Sequence, residues 1–163
     1  MVLFGDDGGP ITIMFTLNEI TKFVRNNLGE DLVDNSLLDW YLSRLYEKNQ
    51  FFIVSEGWII KAIQGYFLCE ENDLPYVENL EWVLPLNYSR GEIIYLALTV
   101  SVEFKYLKQI GEIVRHYARK NNLKKVVAYD IKDKEVKIWT RINGKWLYNQ
   151  GTLSLLKQEV LHA

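Results

Sequence analysis

Apolar residues recur at helical spacing twice near the start of the chain, at Ile20, Phe23, Val24 and Leu28 and again at Leu38, Tyr41, Leu42 and Leu45. That spacing lays each set on one face of an α-helix, and a polar residue supplies each start: Asn18 for the first, Asp34 or Asn35 for the second. Before them, residues 11–17 (ITIMFTL) are β-branched and alternating, the pattern of an edge or first strand. After them, residues 51–55 (FFIVS) form a short buried strand. Glu56-Gly57 is a turn, and WIIKAIQGYFLCE is its hairpin partner. Gly65 inside that partner marks a bulge or the close approach of another backbone.

Residues 70–91 are polar, with Pro75 and Pro85, and read as an irregular segment or a short helix. Residues 92–100 (EIIYLALTV) are almost all apolar, as in a central strand covered on both faces. Leu107, Ile110, Ile113, Val114, Tyr117 and Ala118 then follow the helical period up to Asn121-Asn122, where a left-handed turn is accessible. KKVVAYDI is the next strand, so residues 92–131 make a β-α-β crossover with parallel strands. DKEVKIWTRINGKW carries two periods. Val136, Ile138, Thr140 and Ile142 alternate as in a strand, whereas Val136, Trp139 and Ile142 share a helical face. Asp133 as a cap and Gly144 as a stop favour a helix. WLYNQGTLSLLKQEV closes the chain as one or two strands.

The chain has 163 residues, enough for one domain with an ordinary core over residues 11–163, behind a flexible leader at residues 1–10. The formal charge of -2 and pI of about 5.7 provide no global footprint for nucleic acid or an anionic membrane, though they leave room for a local basic patch. No apolar run is long enough to span a bilayer. Cys69 is the single cysteine, which rules out an internal disulfide and a cysteine-based zinc cage. No metal cluster can be read around His116 and His162. A soluble, cytoplasmic protein is the expectation. P-loop, dinucleotide and nucleophile-elbow motifs are absent from the sequence.

The order of elements is a strand, two helices, the hairpin with GWIIKAIQGYF, a buried strand, a helix, a strand, a short helix and a last strand. It resembles the GNAT superfamily of acyl-CoA-dependent N-acyltransferases. LALTVSVEFKYLKQIGEIVRHYARKNNLKKVVAYDI resembles that family's fourth strand, third helix and fifth strand. DKEVKIWTRINGKW resembles its tail, a short helix running into Gly and an aromatic residue, with Lys145 between Gly144 and Trp146. The resemblance covers residues 11 to about 160 and implies an α/β (α+β) fold: a single GNAT-like domain with a mixed, twisted central sheet flanked by helices.

The resemblance also implies a site. In the family a loop of pattern Q/R-x-x-G-x-G/A before the third helix binds the pyrophosphate of CoA through its amides. Aligned on the helix, Lys105 takes the first position, while Lys108 and Ile110 stand where the two glycines belong. The implied cofactor-binding residues are Leu98 and Val100 on the strand with Lys105, Lys108, Gln109 and Ile110 at the helix, and the cofactor is acetyl-CoA or another acyl-CoA, with no metal. Two lysines at a helix start run against the macrodipole, which supports an anion there. Glu92 at the head of the strand is the candidate base, with Tyr95 replacing it if the register shifts by one. Thr140 occupies the place of the family's acidic Tyr on the last helix, and Tyr129 or Tyr148 could substitute for it.

Two functions follow. One is an N-acyltransferase moving an acetyl-type group from acyl-CoA to a small-molecule or protein amine. The other is a GNAT-shaped binding or structural module that has lost CoA chemistry, motivated by the missing glycines and the missing Tyr. Family analogy adds a possible homodimer through the last strand. Neither nucleic acid nor a membrane is expected as a partner. Cys69 reads as a packed residue, and Tyr76, Trp82 and Tyr88 as groove-lining or loop-pinning rings.

Overall fold

Thr16 starts the first helix, two residues before the expected Asn18. Its hydroxyl accepts from the Glu19 N–H (3.1 Å), and its own N–H donates to Glu19 Oε1 (3.3 Å). This reciprocal capping box satisfies two otherwise orphaned donors and outweighs a lone asparagine cap. The computed structural model describes residues 15–28, 35–73, 89–130, 135–142 and 145–151. Of the expected first strand, residues 11–14 lie outside these, Phe15 is a buried bend and Leu17 is helical.

The elements are α1 (Leu17–Asn27), α2 (Asn35–Glu47), β1 (Phe51–Glu56), β2 (Ile59–Cys69), β3 (Ile93–Ser101), α3 (Phe104–Lys120), β4 (Lys125–Asp130), β5 (Glu135–Ile142) and β6 (Lys145–Gly151). Among the described residues the fold is mixed α+β, with three helices and a six-stranded mixed sheet in the order β1-β2-β3-β4-β5-β6. The crossover from β3 through α3 to β4 is parallel, as expected, with Ile93 opposite Lys125 and Leu96 opposite Ala128. The pairs β1/β2, β4/β5 and β5/β6 are antiparallel. Internal contacts divide the chain into two units, Met1–Tyr66 with Leu98–Lys120 and Phe67–Ala97 with Asn121–Ala163. Both β2 and β3 contribute to each.

In the first unit, α2 buries Leu38, Tyr41, Leu42 and Leu45, the face expected from their spacing. It terminates at Asn49, whose positive φ of 55° turns the chain toward β1. Arg25 of α1 grips Asp39 of α2 through both carboxylate oxygens at 2.6 Å, an exposed pair. The β1/β2 hairpin closes in two residues, with Glu56 opposite Ile59 and Gly57 at φ 61°. Glycine at the first central position suits that turn. The bulge lies at Lys61, because Val54 pairs Ala62 while Ser55 pairs Ile60. Gly65 is approached by side chains and not by another backbone: a Cβ there would meet Leu45 Cδ1 at 3.0 Å and Phe51 Cε1 at 3.3 Å.

Helix α3 covers β1 and buries Tyr106, Ile110, Ile113, Val114 and Ala118. Phe52, Tyr66 and Tyr117 form the centre of that contact. Phe52 stacks on Tyr66 with centroids 4.4 Å apart, and Tyr117 meets it edge-on at 5.2 Å. Asn122, at φ 53°, ends the helix where expected.

In the second unit, β5 replaces the expected short helix. Residues 135–142 pair with β4 on one side and β6 on the other, Thr140 facing both Lys125 and Leu147. Alternating β-branched positions suit a strand, and a strand paired on both sides satisfies backbone groups that a lone helix of this length would leave open. Ile142 pairs Lys145, the last step of the antiparallel β5/β6 register; Gly144, expected as a helix stop, lies outside the described residues. At the other end of the unit, Leu68 bridges Ser89, and Gly91 lies against the Cys69 backbone. Phe67 stacks on Tyr95 with centroids 4.8 Å apart. Burial pushes the Cys69 thiol far above its ordinary value, which leaves it an inert packed residue. Tyr76, Trp82 and Tyr88 lie outside the described residues.

Candidate functional site

The six residues expected at a cofactor site all belong to the first unit. Leu98 and Val100, near the end of β3, are 6% and 4% exposed. The Leu98 carbonyl accepts from the buried Gln64 side chain (3.0 Å), which also donates to the Gly65 carbonyl (2.8 Å) and accepts from the Thr99 hydroxyl (2.5 Å). This network satisfies Gln64 inside the sheet and occupies an acceptor on the last part of β3.

Beyond β3 the chain turns within two residues. The Val102 N–H donates to the Lys61 carbonyl (3.0 Å), and the Ser101 hydroxyl donates to the Glu103 carbonyl (2.7 Å). The Tyr106 and Leu107 amides both close back on the Glu103 carbonyl, at 3.2 and 3.4 Å. Helix α3 is therefore already formed at the position where a phosphate loop was sought. Lys108, Gln109 and Ile110 lie in its second turn, where each amide bonds to a carbonyl four residues back. Ile110 is 2% exposed, so its side chain is core. Gly111 is inside the helix, as its spacing implied, with nothing within 4 Å of an added Cβ.

Lys105 and Lys108 are exposed, and each sits over a neighbouring ring, Lys105 Nζ 4.9 Å from the Tyr106 centroid and Lys108 Nζ 5.2 Å from that of Phe104. The Tyr106 oxygen, then the Glu103 carboxylate, hold the Lys105 ammonium above its ordinary value. The Tyr106 hydroxyl donates to Glu56 Oε1 (2.5 Å), a link invisible to periodicity, and Tyr106 is buried whereas the helical spacing points to Leu107. Leu107 is 39% exposed.

That hydrogen bond, opposed by desolvation and aided by the charges of Lys61 and Lys105, holds the Glu56 carboxyl below the usual range. A depressed carboxyl contributes stability above its unfolded pKa and loses it as pH falls through the lower folded value. Tyr106→Phe should therefore be less stable than the parent at neutral pH, with the difference closing below the ordinary carboxylate pKa of roughly 4.3. Thermal midpoints measured across the acid range check this. A gap that persists after Glu56 is protonated would show that the packing of the hydroxyl, and not the charge-assisted bond, matters.

Glu92 and Thr140 belong to the second unit. Glu92, at the head of β3, pairs with Lys124 (3.2 Å), which reaches Glu71 (3.5 Å), and Lys125 joins Glu71 at 3.1 Å. Burial pulls the Glu71 carboxyl upward, but the hydrogen bond from Lys125 and the charges of both lysines leave it below its ordinary value. The hydrogen bond to Glu92 raises Lys124. Thr140 lies on β5 opposite Lys125, which in turn is opposite Ile93. Paired residues share a sheet face, so Thr140 falls on the face of Ile93, while Glu92 lies in the bend before β3 and pairs with Lys124. Thr140 loses the helical position that suggested it as an acid. Tyr95 is buried in its stack with Phe67, while Tyr129 and Tyr148 are strand residues opposite Val136 and Trp139. His116 is exposed on α3, and among the described residues no group of three or more His, Cys, Asp or Glu could hold a metal ion.

No helix among the described residues is long and apolar enough to cross a membrane. Comparison with protein-family models, with curated proteins and with solved structures finds no match for this chain.

Proposed function

We propose that this chain is a GNAT-shaped module that works by binding and carries out no acyl-CoA chemistry. The reading rests on one observation: Lys108 and Ile110, aligned with the two glycines of the pyrophosphate loop, are already in the second turn of a helix, with their amides engaged and Ile110 in the core. A cradle needs amides that point outward from an open loop, with glycine where phosphate comes close. The residues present do not fit acyl-CoA, and no catalytic step is routed through it. The likeness in fold is supported by the run of two helices, an antiparallel pair and a parallel β-α-β crossover. The β5/β6 hairpin, standing where the likeness calls for a short helix, is a departure from it.

A second reading, transfer of an acetyl-type group from acyl-CoA to an amine, draws on a different feature. The parallel register with β4 covers Ile93–Leu96, while β3 runs on to Ser101. A strand that outruns its neighbour offers backbone groups to an extended thiol ester arm. Gln64 already holds the Leu98 carbonyl there.

The two readings separate in an assay of free thiol released from acetyl-CoA in the presence of small polyamines and lysine-containing peptides. The module reading expects release at the rate without protein. Saturable, protein-dependent release would establish the transferase instead.

A further inference from the structure

Five apolar side chains are exposed along two adjoining segments of the first unit: Trp58 at 72%, Ile59 at 64%, Val102 at 42%, Phe104 at 68% and Leu107 at 39%. Trp58 and Ile59 are at the β1/β2 hairpin turn, and the other three are at the start of α3. Two hydrogen bonds hold these segments side by side, Val102 N–H to the Lys61 carbonyl and the Tyr106 hydroxyl to Glu56, the residue opposite Ile59. Phe104, Leu107 and Lys108 share one helix face by their three- and four-residue spacing. Isolated exposed apolar residues need no explanation, but a cluster held together from two segments marks a contact surface.

The charges around the cluster indicate what it contacts. Lys61 on β2 and Lys105 and Lys108 on α3 flank it, and the Lys108 ammonium lies over the Phe104 ring, 5.2 Å from its centroid. Among the described residues two carboxylates lie beside these lysines, Glu56 accepting from Tyr106 and Glu103 paired with Lys105 at 3.9 Å, so three ammonium groups against two carboxylates leave the patch with one excess positive charge. Large aromatic tips among lysines have the composition of an interfacial anchor, in which rings enter the headgroup layer and ammonium groups meet anionic lipids. A second copy of the chain fits less well, because an isologous pairing would set this lysine collar against itself. With a net charge of -2, attraction to a negative surface must come from this local patch.

We propose that the hairpin turn and the start of α3 dock the protein on an anionic bilayer surface, with Trp58, Ile59 and Phe104 entering the headgroup region and the three lysines contacting acidic lipids. This site is independent of the CoA question, since a bilayer needs no ordered phosphate loop.

The test is co-sedimentation of the full chain with vesicles of phosphatidylcholine alone and of phosphatidylcholine mixed with phosphatidylserine. Binding is expected to the mixed vesicles and to fall with added salt. The Lys105→Gln, Lys108→Gln pair should weaken it by about fivefold per lysine. Trp58→Ser with Phe104→Ser should abolish it while leaving the thermal midpoint within a few degrees of the parent, since both side chains are exposed. Failure to sediment with the mixed vesicles overturns the proposal, as does equal binding by all variants. A concentration-dependent dimer in sedimentation equilibrium that Trp58→Ser dissolves would also overturn it and assign the patch to a second copy.

Discussion

Gly91→Ala should be the most damaging single methyl addition to this protein, lowering stability by roughly 3 kcal/mol or more and the thermal midpoint by about 10 °C. Two costs act together there. The residue adopts φ 140°, which side chains with a Cβ rarely accept, and the new Cβ would lie 2.1 Å from the Cys69 carbonyl oxygen and 2.2 Å from its carbon. Backbone cannot rotate away as a flexible side chain would, so the approach of this turn to the end of β2 must open. Gly57→Ala separates the two causes, because Gly57 has φ 61° and nothing within 4 Å of an added Cβ. That variant should lose only the conformational part, about 1 kcal/mol. Equal losses in the two variants, measured by urea unfolding, would mean that the contact with Cys69 contributes nothing.

Phe52→Ala carries the second large effect, a loss of roughly 3–5 kcal/mol. Phe52 is 1% exposed and touches both other rings of its cluster, Tyr66 from β2 and Tyr117 from α3. Truncating it removes buried area and leaves a cavity under α3, and neither tyrosine can fill the space without leaving its own packing. Phe52→Leu keeps most of the volume and should cost less than half as much. If unfolding midpoints of the alanine and leucine variants coincide, the ring stack is not what holds α3 on β1.

The elements that were readable from sequence share one property: a single period with no competitor. Leu38, Tyr41, Leu42 and Leu45 carry only a helical reading and are all buried, and the run from Ile93 to Val100 carries only a strand reading and forms β3, with Ile93, Ile94, Tyr95, Leu98 and Val100 buried. Residues 135–142 carried both periods, and Gly144 was weighed as a helix stop. Yet the dipeptide Asn143-Gly144 between two alternating runs is itself a hairpin signal, and the pairing of Ile142 with Lys145 bears it out. Thr16 was overlooked for a similar reason. The Thr-x-x-Glu spacing to Glu19 was present, but the preceding β-branched run drew Thr16 into a strand.

Of the site, the position of Gly111 within α3 is legible in the sequence. Where the helix begins is not, because that depends on Glu103 collecting two amides and on Val102 bonding to Lys61 across the sheet. The apolar patch was equally hidden. Leu107 looks like core in a helical count, yet Tyr106 is the residue buried at the start of α3, its hydroxyl bonded to Glu56, while Phe104 and Leu107 are exposed. Long-range side-chain bonds of this kind leave no periodic trace.

The most direct test of the central claim, that α3 leaves no cradle for a CoA pyrophosphate, is a calorimetric titration of the full chain with acetyl-CoA carried into the millimolar range. The account predicts no heat beyond dilution. A saturable isotherm lost on adding 3′-phospho-ADP, the nucleotide part of CoA without its thiol arm, would contradict it, since it would place the nucleotide's phosphates on this protein despite the closed helix.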